Sequence, residues 1–347
     1  MKITTSAPCL AAAAVCSLAA AQTNLYSNAG VTPGDPGLAT GAVTAGGAAA
    51  PTGKVWSEVQ AISATEANAV LGFACHATGN GGTYRFADDF VVPAGVGVVW
   101  SLSEVVVYAY SNDGGSAPFA GASLRIWSGA PNSPGAAVIF GDTTTNRLAS
   151  ATLTPILRTA STTPLANAPS PSAPDQSRPV WALTLHLSPP LGLTSGTYWL
   201  DWQLDVEPLA SAFSPPVTLT GQRAKAGAAS NALQFRTAPP PLLDGDWLPV
   251  VDTGKPAPAP DVPQDLPFIL RGTALAPACG PADVGGTGGV PGRDGVLDNN
   301  DFVVFIDWFF AQLPAADRGV TGGIPGSDGA WDNNDFVVFI DQFFAGC

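Results

Sequence analysis

Ionisable side chains are scarce in this 347-residue sequence. Only 12% of the residues are charged, and the chain contains two His and one Met. Acidic residues outnumber basic ones by 27 to 14, which gives a formal net charge of −13. The shortage of Lys and Arg argues against the basic face that nucleic acids require, and against adsorption to anionic lipid. The G-x-S-x-G, H-E-x-x-H and P-loop patterns of common enzyme families are also missing.

Long apolar runs are absent except near the N-terminus. There, Lys2 precedes the apolar stretch "CLAAAAVCSLAAA", which ends in small residues before Gln22. The stretch is too short to span a bilayer and is typical of a secretory signal peptide. We therefore expect residues 1–21 to be a signal peptide. The mature protein should be exported to the cell surface or beyond, and should not span a membrane.

The body of the chain, residues 22–275, has many turn-forming residues, and the whole sequence contains 39 Gly and 33 Pro. Turn clusters separate short runs of β-branched and aromatic residues, several of which alternate between apolar and polar. This pattern predicts a mostly β domain, a β-sandwich with the jelly roll as one form. The segment 22–54 is expected to be irregular or partly disordered. The predicted strands are "TYRFADDFVVP", "EVVVYAY", "ASLRIWSG", "AAVIF", "PVWALTLHL", "GTYWLDWQL", "NALQFRT" and "LPFILRG".

The body offers few acidic candidates for catalysis. A polysaccharide hydrolase would need two carboxylates that flank one glycosidic bond. The alternative for each acidic residue is a turn, a helix or strand cap, or surface charge. The candidates are Asp88, Asp89, Asp201, Asp205 and Glu207.

Other side chains in the body suggest structure or binding. Cys75 and His76 are sequence neighbours, which rarely form a nucleophile and base pair, so we expect Cys75 to be a buried small residue. His186 lies in an alternating strand and is expected to be structural. Aromatic side chains could stack on sugar rings, although the core is the default place for Trp. Because Trp199 and Trp202 fall on opposite faces of "YWLDWQL", one of them could be exposed, and a glycan ligand is an alternative.

The C-terminal region contains an internal repeat. The ten residues "DNNDFVVFID" occur twice without change, 34 residues apart. From Cys279 onward there are ten Asp and two Arg, so this region carries −8 of the net charge. Such dense carboxylates repel each other unless a cation lies between them, and oxygen ligands without His or Cys favour Ca²⁺ over Zn²⁺. The repeated acids are Asp283, Asp294, Asp298, Asp301 and Asp307, followed by Asp317, Asp328, Asp332, Asp335 and Asp341.

The spacing of these acids matches an EF-hand-type loop. Asp294, Asp298 and Asp301 fall at positions 5, 9 and 12, with Gly at position 6 and the carbonyl of Val296 at position 7. An apolar residue falls at position 1, so we expect the insert "GGTGGVP" to loop out and deliver Asp283 there. Two Ca²⁺ ions per chain are expected; the alternative is a pair of Asp-rich turns that cap helices without metal. The ligands of the second copy would be Asp317, Asp328, Ala330, Asp332 and Asp335.

A helix is predicted after each loop, because Phe302, Phe305, Ile306 and Phe309 recur at helical spacing. Asp298 precedes Asp301 by three residues and can cap this helix. One loop and one helix are too little to bury a Phe face. We therefore expect the two halves to pack around a pseudo-two-fold axis. The facing set would be Phe302, Phe305 and Phe309 with Phe336, Phe339 and Phe343.

Three cysteines remain outside the signal segment. Cys279 and Cys347 bracket the repeated region, so a disulfide between them is predicted for an oxidising compartment. Closing a loop of about 69 residues would remove unfolded-chain entropy equivalent to roughly 4 kcal/mol.

Together these features resemble a known family. Two tandem loop-helix units, with the flanking "ACGPADVGG" and the terminal "FFAGC", are similar to the GC-type dockerin of exported bacterial proteins. The resemblance covers residues 279–347 and assigns 276–347 as a dockerin-like module. Because dockerins bind cohesin modules, it implies a cohesin-like module or another surface protein as partner. The implied partner-binding residues are Asn299, Asn300, Asn333 and Asn334.

The arrangement of the body resembles an uncharacterised sandwich domain of other exported bacterial proteins. We therefore expect an exported protein that displays a binding or structural β-sandwich through a calcium-stabilised interaction module. One alternative is a polysaccharide hydrolase attached to a cellulosome-like assembly. The other is a structural surface component whose C-terminal region has no cohesin partner.

Overall fold

The computed structural model describes most of the chain beyond the predicted signal peptide, which lies outside the described residues. Among the described residues, no helix is long and apolar enough to cross a membrane. The described ranges are 22–32, 37–60, 64–67, 70–78, 82–93, 99–112, 117–160, 174–208, 210–221, 230–237, 246–275 and 279–347.

Strands dominate the described residues, as the sequence predicts, and each of the eight predicted strands is present. Those of the body are β1 (Thr23–Ser27), β2 (Val55–Val59), β3 (Phe73–Ala74), β4 (His76–Thr78), β5 (Gly82–Val92), β6 (Val99–Tyr110), β7 (Phe119–Trp127), β8 (Val138–Gly141), β9 (Leu148–Ala160), β10 (Pro179–Leu193), β11 (Gly196–Val206), β12 (Phe213–Ser214), β13 (Leu233–Thr237), β14 (Asp246–Pro249), β15 (Val251–Asp252), β16 (Val262–Pro263) and β17 (Phe268–Leu275).

The strands form two large sheets that both contribute to the largest apolar cluster. The first sheet has the order β1-β17-β6-β10-β9-β2, with β12 and β3 attached beside β6. The second has the order β14-β13-β5-β4-β11-β7-β8. Alternate residues of each strand face the other sheet, so that Leu183 and Phe268 of the first share a cluster with Leu124 and Trp202 of the second. The largest apolar cluster of the body therefore contains residues of both sheets, and a second cluster, which includes Tyr108, lies on the opposite face of the first sheet.

The body differs from the prediction in several additional strands and in the segment 22–54. Strand β9 has no counterpart among the predicted strands, yet it pairs with β10 on one side and with β2 on the other. The segment 22–54 is not wholly irregular, because β1 pairs with β17 at the edge of the first sheet. Leu38 in the same segment is fully buried. Contacts with the first sheet thus give a defined structure to residues of the segment 22–54, although their sequence has little strand propensity.

The C-terminal region has two small hairpins and two helices. The first hairpin pairs β18 (Gly285–Gly286) with β19 (Val290–Pro291), and the second pairs β20 (Gly319–Val320) with β21 (Ile324–Pro325). Each hairpin precedes a 12-residue helix, α1 (Asn299–Phe310) or α2 (Asn333–Phe344), and a short 3-10 helix at Pro314–Ala316 lies between the halves. The predicted loop-helix repeat is therefore present, and the insert of each loop forms a hairpin.

Candidate functional site

Each acidic loop closes around its first aspartate. Asp283 is fully buried, and its carboxylate accepts the main-chain N–H groups of Asp294 at 3.2 Å and Gly295 at 3.1 Å. The hairpin loops out between these partners, so Asp283 lies beside the residues that the sequence numbers as positions 5 and 6. In the second copy Asp317 accepts the equivalent N–H groups of Asp328 and Gly329, at 3.1 and 2.9 Å.

The last aspartate of each loop joins the helix start to the hairpin base. One oxygen of buried Asp301 accepts the N–H groups of Val284 at 2.7 Å and Gly285 at 2.8 Å. The other oxygen accepts the N–H of Asp298 at 2.8 Å, which completes a reciprocal capping box with the Asp298 side chain. The second copy repeats these bonds: Asp335 accepts from Arg318 at 2.6 Å, Gly319 at 2.8 Å and Asp332 at 2.9 Å.

The middle acids of each loop fold locally. Asp294 accepts the N–H of Val296 at 3.0 Å, and Asp298 caps α1 by accepting the N–H of Asn300 at 2.7 Å. The side chains of Asp294 and Asp298 remain half-exposed. In the second copy, Asp328 accepts from Ala330 at 3.0 Å and Asp332 accepts from Asn334 at 2.7 Å.

The loop carboxylates retain different numbers of acceptor sites for a cation. A carboxylate has about four lone-pair sites, so Asp283, Asp294 and Asp298 keep acceptor capacity after binding main-chain N–H groups. Asp301 has less capacity left, because it accepts three N–H groups. The hydroxyl of Ser327, followed by the N–H groups of Gly329 and Asp328, lowers the pKa of Asp317 and favours its charged form. Within the part of the chain that the structure describes, no three His, Cys, Asp or Glu side chains are grouped to hold a metal. The donor chemistry thus fits Ca²⁺, while an assembled ligand cluster is not observed.

The two helices pack through their Phe side chains in an antiparallel arrangement. Phe302 meets Phe343 with ring centroids 4.5 Å apart, and the equivalent rings of Phe309 and Phe336 are 4.4 Å apart. The ring of Phe305 stacks on that of its repeat mate, Phe339, at 4.0 Å. A residue that stacks on its own repeat mate must lie on the pseudo-two-fold axis. The predicted packing of the Phe face is thus present in full.

The predicted disulfide is confirmed. Cys279 and Cys347 are bonded, with Cα atoms 4.2 Å apart, and they tie the segment before the first loop to the segment after α2. Cys75 is a free, fully buried cysteine, as expected, and burial raises its pKa so that the thiol stays protonated.

The four predicted partner-binding asparagines differ in availability. Asn299 and Asn333 are exposed. Asn300 is half-buried and donates to Asp298, its side-chain amide nitrogen lying 3.1 Å from a carboxylate oxygen. Asn334 accepts the N–H of Gly323 in the second hairpin at 3.0 Å and donates to Asp332 at 3.2 Å. Two of the four side chains are therefore engaged within the module.

Two of the five acidic candidates of the body, Asp88 and Asp201, are fully buried. Asp201 is fully buried and accepts from Arg85 at 2.7 Å, Arg125 at 2.6 Å and Trp127 at 3.1 Å. These partners come from β5 and β7, which flank β11, and alternation places all of them on the outer face of the second sheet. That alternation is visible in the sequence, although the pairing of the strands is not. Glu207 and Asp205 are exposed.

Asp88 points inward and is fully buried, while Asp89 is half-buried. The Asp88 carboxylate accepts the N–H groups of Asp89 at 2.9 Å and Leu266 at 2.8 Å. Burial, reinforced by the nearby carboxylate of Asp265, raises the pKa of Asp88.

The aromatic and His side chains of the body also deviate in part from expectation. Trp199 and Trp202 are both buried, so the expectation of an exposed Trp on this strand is wrong. Both faces of β11 are covered by other residues of the body. Alternation in the sequence does not show whether the second face of a strand is covered. His76 is buried with Nδ1 2.8 Å from the carbonyl oxygen of Ala212. His186 is exposed and lies 3.6 Å from Glu104.

No family model, curated protein or solved structure matches this chain.

Proposed function

We propose that this chain is an exported protein that displays a β-sandwich domain through a C-terminal, calcium-stabilised, dockerin-like interaction module. The domains would be 22–275 and 276–347, after a signal peptide at 1–21. The observation that carries the proposal is the repeated loop bonding, in which Asp283 and Asp317 each accept the N–H groups of residues at positions 5 and 6. That bonding supports an EF-hand-type loop whose insert is set aside as a hairpin.

The sandwich interpretation of the body is supported by two sheets whose inward side chains share one cluster. Export is supported by the N-terminal sequence and by the Cys279–Cys347 disulfide, because such bonds persist in oxidising compartments. The partner would be a cohesin-like module or another surface protein.

One Ca²⁺ in the first loop would be held by Asp283, Asp294, Asp298, Asp301 and the carbonyl of Val296. The bound ion would neutralise the clustered carboxylates and so couple folding of the loop to metal binding. The residues themselves orient the donors through main-chain N–H groups, as described above. The second site would use Asp317, Asp328, Ala330, Asp332 and Asp335.

Calorimetric titration of the full chain with Ca²⁺, after treatment with a chelator, tests this proposal. We expect saturable binding of two ions. Asp294→Asn and Asp328→Asn should each raise the Kd of one site about tenfold or more, because the substitution removes a ligand charge. Asn keeps an acceptor oxygen for the local turn, so the fold of the loop should survive.

Asp307→Asn and Asp341→Asn are the matched controls, because these exposed helix residues carry the same charge outside the loops. Their effect on Ca²⁺ affinity should be small. Absence of uptake at millimolar Ca²⁺ would reject the metal sites. Equal weakening by loop and control substitutions would indicate only non-specific attraction of Ca²⁺ to an acidic surface.

The hydrolase alternative has less support, since Asp88 and Asp201 are fully buried and already accept hydrogen bonds. The purely structural alternative differs from our proposal only in lacking a partner, and the binding experiment described below separates the two.

A further inference from the structure

Each C-terminal helix carries an exposed apolar stripe beside its Phe core. Every core Phe of α1 is followed directly by an apolar residue that is exposed: Val303 by 40%, Ile306 by 37% and Phe310 by 78%. Solvent-exposed Phe at this level is costly for a soluble surface and is unusual when it recurs. The stripe of α2 repeats this exposure, with Val337 at 39%, Ile340 at 37% and Phe344 at 78%.

Symmetry puts both stripes on one side of the module. A step of one residue turns about 100° around a helix, so each stripe faces nearly perpendicular to the Phe contact. The stacked rings of Phe305 and Phe339 mark a pseudo-two-fold axis normal to the antiparallel helices. Rotation about that axis leaves the direction along it unchanged, so the stripe of α1 and the stripe of α2 face the same way.

The two hairpins extend this surface. A Cβ added at Gly289, in the turn of the first hairpin, would lie 3.2 Å from the Val303 side chain. At Gly323 in the second hairpin, a Cβ would lie 2.9 Å from Val337. Each turn therefore packs directly on the first residue of its stripe. The next residue of each hairpin, Val290 or Ile324, is 60% exposed. We define the apolar platform as Val290, Val303, Ile306 and Phe310 with Ile324, Val337, Ile340 and Phe344.

The exposed charged residues of the two helices are acidic. Exposed Asp307 lies one turn from both Val303 and Phe310, and Asp341 is its equivalent on α2. Arg318 lies on the opposite side of the helices. Its main-chain N–H donates to Asp335, which comes one residue before the core residue Phe336, whereas the stripe residue comes one residue after it.

An acidic rim selects the occupant of the platform. A second copy would bring a further −8 of charge against the same rim, and an anionic membrane would be repelled as well. A protein face with an apolar centre and Lys or Arg around it would instead be attracted.

We propose that the apolar platform is the binding site for a folded protein partner whose contact face is apolar at its centre and basic at its rim. This inference rests on the proposed function, and it places the contact on the stripes and hairpins rather than on Asn300 and Asn334. The side chains of those two residues are engaged inside the module.

The test uses the full chain, in Ca²⁺, against the cell-surface and extracellular protein fraction of the source organism. A protein cross-linked to the platform is identified, purified and used for affinity measurements. Phe310→Ser and Phe344→Ser should each weaken its binding about tenfold, as should Val290→Ser combined with Ile324→Ser. The double substitution Asp307→Lys with Asp341→Lys should weaken partner binding more at low salt than at high salt. Leu153→Ser is the matched control, because Leu153 of the body is 47% exposed.

All of these positions are exposed, so the variants should keep the wild-type thermal unfolding and disulfide, which is checked first. A partner that binds wild type and platform variants equally would overturn the inference and leave the proposed function standing. The absence of any partner would reject the proposed function together with the inference. A concentration-dependent dimer that Phe310→Ser dissolves would assign the platform to a second copy and overturn the choice of occupant.

Discussion

Replacing Phe305 by Ala should unfold the C-terminal module and leave the two-sheet domain folded. Phe305 is fully buried, and its ring is stacked on that of Phe339 with 4° between the ring planes. It also meets Phe336 edge-on, with centroids 5.2 Å apart. Truncation would therefore leave a ring-sized cavity at the pseudo-two-fold axis, where the two halves of the module meet.

The size of the effect decides the outcome. A buried Phe→Ala substitution costs about 3–5 kcal/mol, a range that includes the loss of ring contacts. A single core in a module of this size rarely supplies more than about 3–5 kcal/mol. The loss is thus comparable with everything that the Phe core contributes. In a chelator, where no bound ion adds stability, the module should open.

Amide hydrogen exchange measured by mass spectrometry can follow each part of the chain separately. Peptides from α1 and α2 should lose protection in Phe305→Ala, while peptides from β6 and β11 should exchange as in wild type. Phe339→Ala should act equally, because it removes the other ring of the same stack. Phe310→Ala is the control, since Phe310 is 78% exposed. Wild-type protection in Phe305→Ala, or a large difference between Phe305→Ala and Phe339→Ala, would refute the two-fold core.

Two further predictions concern the disulfide and a buried acid. Replacing Cys279 and Cys347 together by Ser should lower the free energy of unfolding of the module by about 4 kcal/mol, measured by hydrogen exchange, and an unchanged value would show that the bridge does not constrain the unfolded chain. Burial, and after it the carboxylate of Asp265, raises the pKa of Asp88 in the folded protein. The protonated form of Asp88 therefore contributes stability below about pH 4, and this contribution is lost as the pH rises through the folded-state pKa. Denaturant unfolding of Asp88→Asn should therefore show stability relative to wild type that increases from about pH 5 to pH 8; a constant difference would argue against a raised pKa.

Much of the C-terminal region could be predicted because its determinants are local. Helical spacing of Phe302, Phe305 and Phe309 specifies the buried face of α1, and Asp298 with Asp301 specifies its first turn. The disulfide could be predicted since two cysteines bracket the repeat. The hairpins could not, because "GGTGGVP" has almost no strand propensity. They form because a carboxylate 16 residues away, that of Asp301, accepts the N–H of Gly285.

The body was less predictable because its details depend on strand pairing. Strand β9 escaped prediction although residues 149–154 alternate between apolar and polar side chains, because Pro155 interrupts the run and Pro is uncommon inside sheets. The role of Asp201 depends on Arg85 and Arg125, which lie 116 and 76 residues away in the chain. Only the order of β5, β11 and β7 in the second sheet brings these charges together.

The two repeats differ on one side of the helices and agree on the other. Opposite the platform, Val284 of the first copy is replaced by Arg318, whose guanidinium lies 5.8 Å from the ring centroids of both Phe305 and Phe339. Trp308 is likewise replaced by Gln342, which accepts from Arg318 at 3.3 Å.

Arg318 contacts the Phe core and Gln342. Packing inside one chain does not require the two copies to have identical residues at these positions. On the platform side, all three stripe residues are identical in both copies, and the hairpins differ at two positions, Gly286 against Val320 and Val290 against Ile324. Val303 and Val337 pack on the hairpin turns, which accounts for identity at that position, but the remaining stripe residues and their equivalents face solvent. A partner that contacts both stripes about the same pseudo-two-fold axis would require identical residues in the two copies. The exposed apolar residues, in addition to the acidic loops, therefore support partner binding as the role of the repeat.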